Sequence, residues 1–320
     1  MKTKFLLTLF ICVISMSSFA QTEVTVEGIN YIINPSDNTA IVGKNPNAEG
    51  VIIIPETIQY EGNDYSVEEV GDYAFLGNLV EGSKWKREHC KITSITLPEG
   101  IKSIGVKSFM NCDALFSISL PNSVKKIGDC AFWYSGITRI DLGNKVTKIG
   151  ERAFANTNLK KVVIPNSVTL LGDNIFSECK KLTEVKIGNG VKTMPKLAFS
   201  DCEELETVEF GANVQKISAG VFNGCSTISE INLPKNLKDI EFGAIMKCPM
   251  LVTLRIPVGL KELKDGIVTN CENFEMLIVT SEDTQFKPVA GKQYVVRDCP
   301  NFKGIYLDYG GTSMVRFPEQ

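Results

Sequence analysis

Apolar residues recur along the chain in two columns that keep step. The first column is a short alternating run closed by Pro or Gly. It reads Ile95-Thr96-Leu97-Pro98, Ile118-Ser119-Leu120-Pro121, Ile140-Asp141-Leu142-Gly143 and Val162-Val163-Ile164-Pro165, with further copies starting at Val185, Val208, Ile231 and Leu254. Successive copies lie 22 or 23 residues apart. The second column is aromatic: Phe109, Phe132, Phe154, Phe176, Phe199 and Phe222, continued by Ile245 and Val268. Self-similarity at this period marks a solenoid. Period-two alternation predicts a short strand in each unit, stopped by the Pro or Gly that follows. Downstream, the apolar spacing of Val124, Ile127, Ala131 and Phe132 follows one helical face and predicts a short helical turn. The column Gly105, Gly128, Gly150 and Gly172 continues as Pro195 and Ser218. Proline demands negative φ, so this position does not require left-handed backbone. Gly and Ser suit a helix N-cap there, with Asp129, Glu151 and Asp173 in the first turn.

One such unit cannot bury its own apolar face, but stacked units can, with identical strands pairing in parallel. About ten coils at ~4.8 Å per strand give a stack on the order of 50 Å long. The run Ile104-Gly105-x-x-Ser108-Phe109-x-x-Cys112-x-x-Leu115-x-x-Ile118-x-Leu120-Pro121 resembles the BspA-like leucine-rich repeats, a bacterial class of roughly 23-residue units. The resemblance covers about residues 50 to 307. It implies an α/β leucine-rich-repeat solenoid with a parallel β-sheet on the concave face and short helical turns or irregular segments opposite. Later units drift: Glu241 and Lys264 replace the glycine, and Ile245 and Val268 replace the phenylalanine.

The ends and insertions follow from the same alignment. Residues 1–20 read as a secretory signal: Lys2 and Lys4, an apolar stretch from Phe5 to Met16, then small Ser18 and Ala20 before a cleavage point. Bulky Ile11 before Cys12 argues against a lipoprotein site. The mature chain is expected to begin at Gln21, and no later apolar run is long enough to span a membrane. Residues 21–50 read as a β-hairpin cap, because Val24-Val26 and Tyr31-Ile33 alternate and a Pro35-Ser36-Asp37-Asn38 turn precedes Ala40-Ile41-Val42. The solenoid occupies 51–307, with insertions at 59–66, 76–89 and 280–298, and 308–320 form a tail or second cap.

Charge and composition then narrow the function. Hydrophobic residues make up 43% and charged residues 22%, which is globular rather than disordered. Net charge is −3, and removal of the leader makes the chain more acidic, so the whole-molecule basic charge expected of a nucleic-acid binder is absent. One histidine excludes a multi-histidine metal site. Cys112, Cys179, Cys202, Cys225, Cys248, Cys271 and Cys299 share one slot in the repeat, and Cys90 fits it with one residue deleted. Ser135 and Thr157 fill the same slot. A small, weakly hydrogen-bonding residue is required there, and cysteine serves as a buried hydrophobe. Neighbouring coils would hold these side chains parallel, which is poor disulfide geometry, so the column is expected to be reduced. No Cys-x-x-Cys pair suggests a metal. Cys130 stands outside the column and is the expected reactive thiol. Scattered Ser-x-x-Lys matches at Ser83, Ser123 and Ser177 carry no acyl-transfer chemistry, and no catalytic motif is present. A catalytic site and a cofactor are therefore not expected.

Binding is left as the function. Residues flanking the second apolar position of each strand point to solvent. They supply the candidate ligand-binding set Arg139, Asp141, Lys161, Glu184, Lys186, Glu209, Glu230 and Arg255. Stacking places Lys161 beside Glu184 and Lys186 beside Glu209, opposite charges across strands. Such a mixed-charge platform suits a protein partner, or equally a solvated, self-satisfied sheet. A second candidate set is aromatic. Trp133 and Tyr134 follow Phe132 where other units carry small or polar residues, and Trp85 lies in the 76–89 insertion two coils earlier. Aromatics on one edge can stack on sugars or anchor a protein. The expected function is thus an exported binding protein, on the cell surface, secreted or periplasmic. Its expected partner is a host or microbial surface or matrix protein, as similarity to the BspA-like family implies. A glycan-binding role or a structural envelope role is the alternative.

Overall fold

In the computed structural model, residues 21–78, 80–81, 88–281, 284–286, 295–308 and 312–315 are described. The expected leader at 1–20, Trp85 and parts of the 76–89 and 280–298 insertions lie outside these residues.

Three ladders run along the stack, each built from one segment of the repeat. In the first, the strands expected from the alternating runs pair in parallel and in register. Ser117–Ser119 lies beside Arg139–Asp141. Lys161–Ile164, Glu184–Ile187 and Thr207–Glu209 follow one another, with Val162 opposite Val185 and Val185 opposite Val208. Thr253–Ile256, Met276–Val279 and Gly304–Asp308 do the same. Glu49–Ile53 pairs with Lys91–Thr96 across a bulge. The second ladder carries the residues just before the glycine column: Asn63–Val70, Ser103–Ile104, Lys126–Ile127, Lys148–Ile149 and Leu170–Leu171. It resumes as Thr193–Met194, Lys216–Ile217 and Asp239–Ile240. The third ladder follows the aromatic column and becomes regular strand at Phe222–Asn223, Ile245–Met246, Val268–Thr269 and Val296–Arg297.

Between the ladders lies one continuous core. Phe75, Phe109, Phe132, Phe154, Phe176, Phe199 and Phe222 are all essentially fully buried. Their rings follow one another with centroids 5.2–5.9 Å apart. A column of identical residues at one repeat spacing must give this geometry, since each ring is covered by the ring of the next unit.

The α/β class is corrected: no described residue is helical. The apolar spacing that suggested a helical turn is real, but the backbone reverses twice within it. Lys107, Cys130, Arg152, Asn174 and Leu197 have φ of 52–57°, and so do Asn111, Tyr134, Asn156, Glu178 and Asp201, four residues later, at 56–60°. Left-handed residues break the i to i−4 bonding of a helix and, outside glycine, cost roughly 1–2 kcal/mol each. Hydrogen bonds between coils replace those bonds. The amide of Cys130 donates to the Glu151 carbonyl at 2.7 Å, that of Phe132 to Ala153 at 2.8 Å and that of Phe154 to Ile175 at 3.1 Å. The Gly/Ser N-cap and the first-turn placement of the acids are corrected with it. Asp129 Oδ1 accepts from the Glu151 amide of the next coil at 2.9 Å, and Asp173 Oδ1 accepts from the Lys196 amide at 3.0 Å. The glycine column has negative φ, as argued from Pro195. Its glycines answer a close approach: a Cβ on Gly128 would lie 2.6 Å from the Val106 nitrogen.

At the N-terminal end, Thr22–Val26 and Ile29–Asn34 pair antiparallel, and Ile29–Asn34 pairs antiparallel with Thr39–Val42. Thr39–Val42 then joins Asn63–Val70 in parallel, at the head of the second ladder. Buried Asn45 ties this meander together, accepting from the Asn30 amide and donating to the Asn30 and Gly43 carbonyls. Residues near the first insertion form a hairpin, Thr57–Tyr60 against Asn63–Val70. Its two-residue turn, Glu61 and Gly62, has φ of 50° and 78°. Positive φ at both positions matches the twist of the flanking strands. At the other end, Thr312–Val315 pairs antiparallel with Gly304–Asp308.

Candidate functional site on the first ladder

In each strand of the first ladder the central apolar residue enters the core and its two neighbours leave it. All eight charged candidates are exposed: Arg139, Asp141, Lys161, Glu184, Lys186, Glu209, Glu230 and Arg255. The register brings Lys161 opposite Glu184 and Lys186 opposite Glu209. Their side chains meet at 2.5 Å and 2.9 Å. The hydrogen bond from Glu184, then its charge, raises the Lys161 pKa. Solvent-exposed pairs of this kind add little stability, because water screens them and two long side chains lose freedom. Arg255 reaches Asp308, two coils on, at 2.7 Å. Asp141 bends back, accepting from the Gly143 amide at 2.9 Å. Arg139 and Glu230 form no ion pair among the described residues. Glu230 also sits where the ladder is interrupted, since 228–233 form no strand.

The aromatic candidates occupy a different edge, just past the third ladder. Trp133 is half-buried and Tyr134 is 45% exposed. Their rings tilt against each other with centroids 5.1 Å apart. The left-handed backbone of Tyr134 turns the pair outward at the end of the turn. On the same edge, several coils away, a shallow groove of about 390 Å³ is lined by Asp201, Glu203, Lys247 and Glu272 among others. Neither candidate set lines that groove.

The cysteine slot behaves as a hydrogen-bonding position. The thiols of Cys179, Cys202, Cys225 and Cys248 donate to the carbonyls of Phe154, Phe176, Phe199 and Phe222, at 3.0–3.2 Å. Thr157 serves its own Phe154 carbonyl at 2.8 Å. Each is buried, and burial raises the Cys179 thiol pKa to about 11 and that of Cys202 well above its ordinary value. One expectation is corrected: Cys90 and Cys112 form a disulfide. Stacking brings their α-carbons to 4.4 Å, at the near limit that a disulfide spans, so parallel neighbours do not forbid the bond. Cys130 is corrected too. It is buried, and burial raises its pKa despite nearby Lys107 and Arg152, which makes it a poor nucleophile. Among the described residues, no three His, Cys, Asp or Glu side chains gather as a metal site. No helix long and apolar enough to cross a membrane is present among the described residues.

The stacked repeats match a known family. The model of the BspA type Leucine rich repeat region matches in six copies, over residues 87–206 and 147–275. The chain belongs to this family. Solved leucine-rich-repeat structures share its fold. A leucine-rich repeat protein from Bacteroides ovatus ATCC 8483 is 24% identical, with a TM-score of 0.70 over 89% of this chain and 71% of that one. The T. pallidum leucine rich repeat protein is 27% identical, with a TM-score of 0.53 over 65% of this chain and 91% of that one. No curated protein matches the chain. BspA-type repeats are interaction scaffolds, and leucine-rich repeats in general bind proteins without catalysing reactions.

Proposed function

We propose that the chain is an exported, non-catalytic adhesion protein that holds a host or microbial surface or matrix protein against the concave face of its first ladder. The observation that supports this reading is the row of exposed charged side chains from Arg139 to Arg255, borne on strands whose backbone is fixed by the next coil. A backbone already fixed by its neighbours adds no loop-ordering cost on binding, and its charges set the register of a partner of complementary charge. Arg139 and Glu230, outside the ion pairs of this face, are available without breaking one. Export follows from the leader-like composition of residues 1–20, and a mature mass beginning at Gln21 checks it.

A second reading places a glycan on the aromatic edge, supported by the exposure of Tyr134 beside Trp133. Both are tested on paired arrays of extracellular-matrix proteins and glycans. A protein ligand lost in Lys186→Glu/Arg255→Glu supports the first reading. A glycan lost in Trp133→Ala/Tyr134→Ala replaces it with the second. A protein ligand retained in Lys186→Glu/Arg255→Glu overturns the first reading, a neutral glycan retained in Trp133→Ala/Tyr134→Ala overturns the second, and silence on both arrays overturns both.

A further inference from the structure

The second ladder pairs opposite charges at Lys102 with Glu68 and at Lys216 with Asp239, but not across the coils between them. Its outward residues in the early coils include Lys102, Lys125, Lys126, Lys148 and Lys192, all exposed. Parallel pairing sets Lys126 directly opposite Lys148. Like charges one strand step apart are destabilising. Lys102 is paired with Glu68, but Lys125, Lys126, Lys148 and Lys192 form no ion pair among the described residues. The acids that follow on these coils are committed elsewhere. Asp129 and Asp173 cap amides of the next coil, and Glu151 pairs with Arg152. In the first ladder of the same molecule, Lys161 and Lys186 each face a glutamate. Exposed lysines set side by side on neighbouring strands, with no ion pair among the described residues, suit an external anion.

We infer that this face binds an acidic polysaccharide, with sulfate or carboxylate groups lying along the stack over Lys125, Lys126, Lys148 and Lys192. Along the stack axis, where coils lie ~4.8 Å apart, Lys125 and Lys126 neighbour Lys148, and Lys192 follows two coils beyond, past Leu170, so cations are presented in series to a linear polyanion. Ammonium groups hold sulfate and carboxylate as compact point charges. Among the described side chains, the outward rows of this ladder carry no aromatic residue over the coils of Lys125 to Lys192, so no stacking platform of the kind that binds single-stranded nucleic acid lies beside these lysines. Leu170 is the rows' one large exposed apolar residue, too little to anchor a membrane surface. The inference goes beyond the reading of the first ladder and does not depend on it.

The test uses the mature chain with heparin and polygalacturonate as probes and neutral dextran, an oligonucleotide and anionic vesicles as comparators, at about 50 mM salt, where electrostatic binding is strong. Binding to either acidic polysaccharide above all comparators is expected. Lys125→Gln/Lys126→Gln/Lys148→Gln should weaken it by about tenfold or more and flatten its salt dependence. Lys161→Gln/Lys186→Gln on the first ladder should leave it unchanged. Removing like charges should not lower the melting temperature, and the single Lys126→Gln should weaken binding in the same sense should the triple variant misfold. Binding no better than to dextran overturns the inference. So does stronger binding to the oligonucleotide or vesicles, or a folded triple variant that binds as the parent does.

Discussion

Phe176→Ala removes one ring from the middle of the aromatic column. The ring is fully buried and lies against Phe154 at 5.7 Å and Phe199 at 5.9 Å, tilted by 12° and 7°. Truncating a buried phenylalanine costs about 3–5 kcal/mol, because transfer energy is lost and a cavity stays. Two aromatic contacts of roughly 0.5–1.5 kcal/mol each disappear with it. Close packing on both sides leaves little room to collapse, so the upper half of that range, ~4 kcal/mol, is expected. Phe176→Leu keeps most of the volume and should cost roughly 1–2 kcal/mol, as Ile245 and Val268 in the same column suggest. Phe116→Ala is the control: Phe116 is 62% exposed, and its loss should change stability by less than about 0.5 kcal/mol. Urea unfolding followed by circular dichroism and by tryptophan fluorescence reads all three. In a stack where each unit touches only its neighbours, the Phe176→Ala transition should also separate into two steps, as the coils on either side uncouple. A cost below about 1 kcal/mol for Phe176→Ala, or equal costs at Phe176 and Phe116, would refute the load assigned to the column.

Further outcomes are expected at the cysteines, Glu241, Lys247 and Gly128. Alkylation of the unfolded, unreduced mature protein should label seven thiols, from Cys130 to Cys299, and leave Cys90 and Cys112 unlabelled; nine labels by mass spectrometry would remove the disulfide. In the folded protein the same labelling should be slow at pH 8, since burial holds Cys179 at a pKa of about 11. Glu241 is held below its ordinary 4.5 by the hydrogen bond from Lys216, against the opposing effect of burial and with help from the Ala219 amide. Its contribution is therefore present above pH 4.5 and lost as pH falls through the lower folded value, and Glu241→Gln should flatten stability against pH in that acid window. Lys247 is exposed with φ of 52°, so Lys247→Gly should raise stability by about 1 kcal/mol in a thermal melt. Gly128→Ala forces a Cβ onto the backbone of the preceding coil and should cost about 1–3 kcal/mol in the same measurement.

The period, the strands and the aromatic column were readable from the chain because each rests on which side chain recurs at which spacing. The turn was not. Val124, Ile127, Ala131 and Phe132 present the same apolar face to the core whether the backbone is helical or twice reversed. Asn111, Asn156 and Asn174, with Gly220 and Gly243 in later coils, are residues that advertise left-handed backbone, but Lys107, Cys130, Arg152 and Leu197 fill the same slots and hide the signal. Ion pairs one repeat apart, Lys161 with Glu184 and Lys186 with Glu209, followed from the register. The Arg255–Asp308 pair did not, since it skips a coil across a lengthened unit. The lysines of the second ladder lie just before the glycine column, in a segment whose apolar spacing reads as a helical turn, and that spacing gives no sign that Lys126 and Lys148 face each other.

A stack of near-identical coils separates what its faces do. Every inward position is set by the unit on either side, so Phe176 or Gly128 tolerates little. Outward positions share the same backbone and touch the core hardly at all, so one column can mix charges, another can carry a run of lysines and a third an aromatic pair, each independent of the others. Exposed ion pairs add little to stability, and reversing Lys186 and Arg255 should leave the melt nearly where it was. Loss of binding in such a variant then reports on the face itself rather than on the fold. The lysine strip gains the same separability, and its repulsion is a small local cost that a stack with a continuous buried core carries easily.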